Sequence, residues 1–283
     1  MTRIISSIVT LPILFIIIYF GTTFHFFLLS EIIIFIGLYE FYRMLERGGL
    51  NCYKWGGIAL GVLLPVGIFK EVSAYTDFFI TSAVIIPFIF RIVSGNRFEV
   101  NQSPDPVQRQ DILSACTFNH ISNTLFGILY VSWLMSYIVL IRMLDHGREL
   151  VFFILLSTWM GDTAAYYGGK GFGKHKLAPL VSPQKTVEGA IASLAGSICG
   201  AFIGKAWLLD MGLLHALIAG IVISIFGQFG DLSESLIKRN MHVKDSGGII
   251  PGHGGMLDRV DSLLFSAPMF YYYYCKIVWF SQL

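Results

Sequence analysis

Charge is what this sequence lacks most. Asp, Glu, Lys and Arg make up 13% of its 283 residues, against roughly 25% in an ordinary soluble domain. That shortage excludes a solvated globular surface. Hydrophobic residues make up 55% of the chain and the mean hydropathy is +0.68. The net charge of +2 is too small to hold nucleic acid by its field, so no nucleic-acid partner is expected. Cysteine is also scarce. Cys52, Cys116, Cys199 and Cys275 are scattered and form no C-x-x-C pair. This spacing argues against a disulfide framework or a thiolate zinc site, and the four read as small apolar side chains. No small-x-small cleavage site follows the first apolar run, Ile4 to Phe20, so that run reads as a retained membrane helix rather than a signal peptide. Finally, the longest polar segment, 94–120, is too short to bury a core of its own and is placed at the membrane interface.

What remains is a series of apolar runs. A membrane helix needs about 20 predominantly apolar residues. By that measure about nine spans are expected, near 4–22, 25–44, 56–70, 76–93, 122–143, 149–168, 187–208, 212–232 and 261–280. The fold class is therefore all-α, a polytopic integral membrane protein. With the N-terminus in the cytoplasm, the inside segments carry 15 Lys and Arg residues and the outside segments 5. This bias supports nine spans with the C-terminus outside. Residues 1–120 form an N-terminal transmembrane region, and 121–283 a C-terminal region with most of the unusual chemistry.

Two segments, 162–188 and 231–261, fall on the same predicted cytoplasmic side with two spans between them, so they can meet. The first reads "GDTAAYYGGKGFGKHKLAPLVSPQKTVEG". Asp162 sits near the end of an apolar span, where a carboxylate is a functional candidate by default. Lys170, Lys174, His175, Lys176 and Lys185 follow among glycines. Lysines supply point charges for phosphate, although a positive-inside flank would look the same. "SPQKTVEG" reads as a helix N-terminus, itself an anion site, with Glu188 suited to capping.

In the second segment Asp231, Glu234, Ser235 and Lys238 recur at i, i+3, i+4 and i+7, on one helical face; Asp231, after an apolar stretch, reads as the deepest. The run "PGHGGMLDRVDS" then sends Asp258 and Asp261 into the last span. A helix starting near Met256 would set the two about 5–6 Å apart. Carboxylates that close need a shared proton, a basic partner such as Arg259, or a divalent cation. Oxygen ligands alone suit magnesium or calcium. Carboxylates, lysines and glycine-rich loops in a lipid setting fit phosphoryl or nucleotidyl transfer to a lipid.

The run "SLIKRNMHVKDSGGIIPGHGGMLDRVD" (235–261) resembles the C-terminal signature of the CdsA-type phosphatidate cytidylyltransferases, also called CDP-diacylglycerol synthases. Ser235, Lys238, Arg239, Lys244, Asp245, Pro251, His253, Gly254, Gly255, Asp258, Arg259 and Asp261 match that pattern. The upstream block is similar too, except that Gln184 stands where the family often has lysine, which leaves Lys185 the better candidate. The resemblance implies transfer of CMP from CTP to phosphatidate, giving CDP-diacylglycerol and pyrophosphate, with Mg2+ and room for a second cation. It implies Asp231, Asp258 and Asp261 as metal and catalytic residues, with Lys238 and Lys244 beside them. Arg239, Arg259, Lys170, Lys174 and Lys185 become candidate phosphate contacts. Ser235 and His253 fall on the motif as candidate substrate contacts, with no specific role for His253. The implied setting is the cell membrane, with the site facing the cytoplasm.

Two alternatives stay open at this stage. One is a CTP-dependent lipid kinase, or a cytidylyltransferase acting on another lipid phosphate. The other, more remote, is an ion-coupled transporter, for which Glu31 and Glu40 would be the intramembrane acids. The small-residue run "GAIASLAGSICGAFIG" suits tight helix packing within or between chains, which leaves a homodimer open. Some rings of "YYYY" at 271–274 are expected to pack inward.

Overall fold

The computed structural model describes residues 12–70, 73–94, 118–248 and 254–278. Residues 12–20 are helical and lead into α1 (Thr23–Arg47), whose N-cap Thr22 accepts a hydrogen bond from the His25 N–H. α2 (Lys54–Phe69) and α3 (Ser73–Ser94) each carry an internal proline, Pro65 and Pro87. In a membrane, neighbouring helices can re-satisfy the backbone that proline frees. α4 (Phe118–Met143) contains a π-helical segment, Ile128–Trp133. α5 (Gly147–Phe172) is followed by a short antiparallel hairpin, β1 (Lys176–Ala178) and β2 (Ser182–Thr186), with Lys176 opposite Thr186. α6 (Val187–Trp207), α7 (Leu213–Asn240) and α8 (Leu257–Tyr273) complete the order, and α8 runs on as a π-helical turn, Tyr274–Val278.

Among the described residues, five helices are long and apolar enough to cross a membrane: α1, α4, α5, α6 and α7. Lys54–Phe69 and Ala74–Ile89 are shorter apolar helices, and α8 has 17 residues. The chain is thus a helical integral membrane protein. The first expected span begins within residues 1–11 and the interfacial segment lies largely within 95–117, both outside the described residues.

The helix N-terminus expected within "SPQKTVEG" is present: the helix starts at Val187 with Glu188 in its first turn, and a short strand at 182–186, not expected from the sequence, precedes it. Thr186 is its N-cap, accepting from the Gly189 N–H at 3.1 Å.

Helices α5 and α6 are packed by small residues. A Cβ on Gly161 would strike the Ser197 hydroxyl, one on Gly168 would strike Ala192, and one on Gly200 would press on the Ser157 backbone. The small-residue run expected to pack helices within or between chains is used within the chain, where it lets backbones approach closely. The main core draws on both ends of the sequence: Leu38, Phe41 and Tyr42 of α1 pack with Val131 and Ile138 of α4, Phe153 of α5 and Leu264 of α8. Of the tyrosine quartet, Tyr273 and Tyr274 are buried and Tyr272 is exposed. The Tyr273 hydroxyl lies 2.9 Å from His215 Nδ1.

Candidate active site

Four helix ends meet at one end of the bundle: the C-terminal parts of α5 and α7 and the N-terminal turns of α6 and α8. Three contacts tie them together. Lys185 of β2 pairs with Asp231 of α7 at 2.6 Å. Arg239 donates to the Val181 carbonyl of the hairpin at 3.3 Å. Lys238 of α7 pairs with Asp258 of α8 at 2.6 Å. Helices α7 and α8 approach so closely that a Cβ on Gly230 would collide with the Asp261 carbonyl oxygen. The N-termini of α6 and α8 lie at this end, where the helix dipole favours anions.

The face expected on α7 is present, because Asp231, Glu234, Ser235 and Lys238 all lie in one helix. Within it Glu234 is the fully buried member, at 0% exposure, and the Asp231 side chain is 36% exposed. Glu234 faces the helix packing, and Asp231 lies where the bundle opens beside the hairpin. Ser235 is half-buried on the same face.

Lys238 is clamped between two carboxylates, Glu234 at 2.7 Å and Asp258 at 2.6 Å. Asp258 is heavily used. Its other oxygen accepts from the Gly255 N–H at 2.8 Å, the Ser246 N–H at 3.0 Å and the Ser246 hydroxyl at 3.0 Å. The helix begins at Leu257, as expected from the sequence, but Asp258 turns to Lys238, Ser246 and Gly255. Asp261 sits deeper, accepting from the Ser262 N–H at 2.6 Å, in the field of Asp231, Asp162 and Lys238. Asp162 itself is accessible on α5 and feels Asp231 and Lys185.

The other candidates form a rim. Lys170, Lys174, Lys244, Arg239 and Arg259 are exposed. Lys170 lies 5.9 Å from the centre of the Tyr166 ring. Glu188, in the first turn of α6, accepts from the Lys174 N–H at 3.1 Å and contacts His175 Nδ1 at 2.6 Å. Its capping role therefore extends to the turn that presents the rim lysines. His253 lies outside the described residues.

Sequence reasoning left Glu234, Ser246 and Glu40 off the site. The i, i+4 spacing of Glu234 and Lys238 was the available signal for the first. Ser246 stands beside the lysine–aspartate pair of the signature without a pattern of its own. Glu40 was visible only as an acid near the end of an apolar helix.

The donor set for a metal is all oxygen. Among the described residues, no group of three or more His, Cys, Asp or Glu converges on one point. A magnesium ion usually takes one or two carboxylates and completes its shell with substrate phosphates and water. Asp231 and Asp261, two carboxylates within each other's field, are a donor set of the right chemistry for that sparse demand.

An oxygen-rich, lysine-clamped site at the helix ends of a membrane bundle marks an enzyme that works on phosphate groups at a lipid surface. The cytidylyltransferase family model matches residues 1–277, and the chain belongs to that family. A phosphatidate cytidylyltransferase of Staphylococcus saprophyticus is 34% identical over 250 residues, covering 84% of this chain and 87% of that protein. One from Bacillus subtilis is 40% identical over 158 residues, covering 55% of this chain and 59% of that protein. The uncharacterized protein YnbB of Escherichia coli is 42% identical over 154 residues, 54% of this chain and 51% of its own length.

Proposed function

We propose that this protein is a phosphatidate cytidylyltransferase, moving CMP from CTP to phosphatidate. A phosphatidate oxygen forms a bond to the α-phosphorus of CTP, and the bond from that phosphorus to the bridging oxygen breaks. Pyrophosphate leaves with the electron pair. The attacking phosphate is ionised near neutral pH, so no strong general base is needed. Alignment and charge neutralisation supply the catalysis.

The carrying observation is the charge layout. Five inner acids, Asp162, Asp231, Glu234, Asp258 and Asp261, are met by two inner cations, Lys185 and Lys238. Lys170, Lys174, Arg239, Lys244 and Arg259 stand around them. An acidic interior with a basic rim suits a triphosphate carried in with a divalent cation. Mg2+ would be held by Asp231 and Asp261, and would neutralise charge developing on the phosphate oxygens. Lys238, fixed by Glu234 and Asp258, presents its charge without searching for a geometry. Both oxygens of Asp258 are engaged, so its role would be to fix Lys238 rather than to bind the metal. With a cation on Asp231, Lys185 would be available to a phosphate. Arg239, Lys244, Arg259, Lys170 and Lys174 would steer the two anionic substrates.

The same reading puts nine spans in the membrane, the N-terminus and the site in the cytoplasm and the C-terminus outside. It rests on the bias of basic residues.

Purified protein given phosphatidate and CTP labelled in the cytidine or at the γ-phosphate tests the activity. Cytidine label moving into lipid supports it. Label entering lipid only from the γ-phosphate identifies a lipid kinase instead.

A further inference from the structure

We infer that Glu40, in the N-terminal half of the chain, is a positioning residue for cytidyl transfer, holding Ser246, Gly255 and the first turn of α8, the groups that fix Asp258 and, through it, Lys238. The inference rests on the activity proposed above. Glu40 lies on α1 and is 2% exposed, although α1 is one of the helices apolar and long enough to cross the membrane. A buried carboxylate there needs a compensating partner. It finds one 217 residues away, because one of its oxygens accepts from the Leu257 N–H, at the first residue of α8, at 3.0 Å. A carboxylate at a helix N-terminus satisfies an otherwise unpaired donor and complements the helix dipole.

The same oxygen lies 3.4 Å from the Ser246 hydroxyl. That hydroxyl is 3.0 Å from Asp258. A hydroxyl has one proton to give, so Ser246 stands between two carboxylates and favours the nearer. The loop is moulded around this bracket. A Cβ on Gly247 would collide with the Glu40 carboxylate, and a Cβ on Gly255 would collide with both Ser246 Oγ and Glu40. The Gly255 N–H in turn donates to Asp258, and Asp258 fixes Lys238. The chain of contacts runs Glu40, loop, Asp258, Lys238. Gly254 enters it at φ +82°, a backbone setting that suits glycine.

Glu40 touches none of the groups assigned to substrate, so its effect should fall on turnover rather than on nucleotide affinity. The test uses the full chain in detergent–phosphatidate mixed micelles, with Glu40→Gln and Glu40→Leu. Gln keeps the shape and one acceptor oxygen; Leu keeps only bulk. A hydrogen bond to a charged group is worth enough to change a rate by about ten- to a hundredfold. The expected result is a kcat lowered by about tenfold in Glu40→Gln and by about a hundredfold in Glu40→Leu. KM for CTP should stay within about threefold of the parent.

Amide hydrogen exchange on folded Glu40→Gln gives a readout independent of activity. Exchange should rise at 244–257 and stay unchanged across the α5–α6 pair. An unchanged kcat in both variants overturns the inference. So does a KM effect with normal kcat, or a loss of activity that only tracks loss of folded protein. If Glu40→Leu does not fold, Glu40→Gln decides alone by exchange and kcat. Failure of the parent enzyme to transfer cytidine would overturn the activity, while the exchange result would still report on the bracket.

Discussion

Replacing Lys238 with methionine should destabilise the protein severely, and a second substitution should undo the damage without restoring activity. Lys238 is 13% exposed, and its partners Glu234 and Asp258 are 0% and 12% exposed. These figures place the cluster among buried ion pairs rather than surface ones, whose worth is small. Removing one partner of a buried pair costs about 3–5 kcal/mol, because the other charge is left uncompensated. The cost falls unevenly here. Asp258 keeps three donors from Gly255 and Ser246, whereas Glu234 has Lys238 on one oxygen and a buried second oxygen with no hydrogen bond. Glu234 therefore carries most of the penalty. Glu234→Gln in the Lys238→Met background should recover more than half of it, since an amide has no charge to bury. The five tryptophans allow unfolding of micellar protein to be followed by fluorescence, with cytidyl transfer measured on the same samples. Lys238→Met melting within about 1 kcal/mol of the parent would refute the buried-cluster argument. Recovery of turnover in the double variant would refute a direct role for the Lys238 charge.

The remaining predictions follow from single contacts. Asp231→Asn and Asp261→Asn should each lower kcat by at least about a hundredfold, with folded protein retained, and chelation should abolish activity in the parent; near-normal turnover in both variants would dismiss the metal assignment. Gly255→Ala should lower activity and loosen the loop, because its Cβ lands on Ser246 and Glu40; exchange at 244–257 checks this. Burial, with Glu46 nearby, pushes the Cys52 thiol up from 9.0 to about 12. The thiolate is the reactive form, so in a variant keeping only this cysteine, maleimide should label native protein at pH 8 about a thousandfold more slowly than unfolded protein. A folded value above the unfolded one means no stability cost below pH 9, and a rising cost as pH climbs past it.

The helices were legible because each is a local pattern. Apolar runs marked α1, α4, α5 and α6 within a few residues at each end and α7 at its start, and the i, i+3, i+4, i+7 spacing set the polar face on which α7 runs past 232 to Asn240. The start of α8 was legible too, from the glycine turn before Met256. The hairpin at 176–186 was not. The five residues before the helix start at Val187 carry no alternating apolar pattern, and only pairing with Lys176–Ala178 shows them to be extended. Burial along α7 was not legible either: it is decided by what packs alongside, and Glu234 rather than Asp231 is the fully buried acid. The use of Asp258 was hidden as well. Its spacing from Asp261 suggested a shared cation, while the donors it takes, Ser246 and Gly255, become neighbours only when the loop closes.

Glu40 shows the limit most clearly. Nothing within α1 distinguishes an acid that snorkels to the interface from one that caps another helix. Its partners are separated from it by the whole apolar middle of the chain. That separation also gives the N-terminal half a task. The signature loop is rich in glycine, which lets it approach phosphate but leaves it with little intrinsic shape. A shape that local sequence does not impose has to come from outside, and α1 provides it through one carboxylate. The same acid at the same depth would be costly facing lipid. Against the α8 N-terminus it satisfies a backbone donor and orders the loop, so the polar group that looked least compatible with α1 is accounted for by the chemistry at the other end of the sequence.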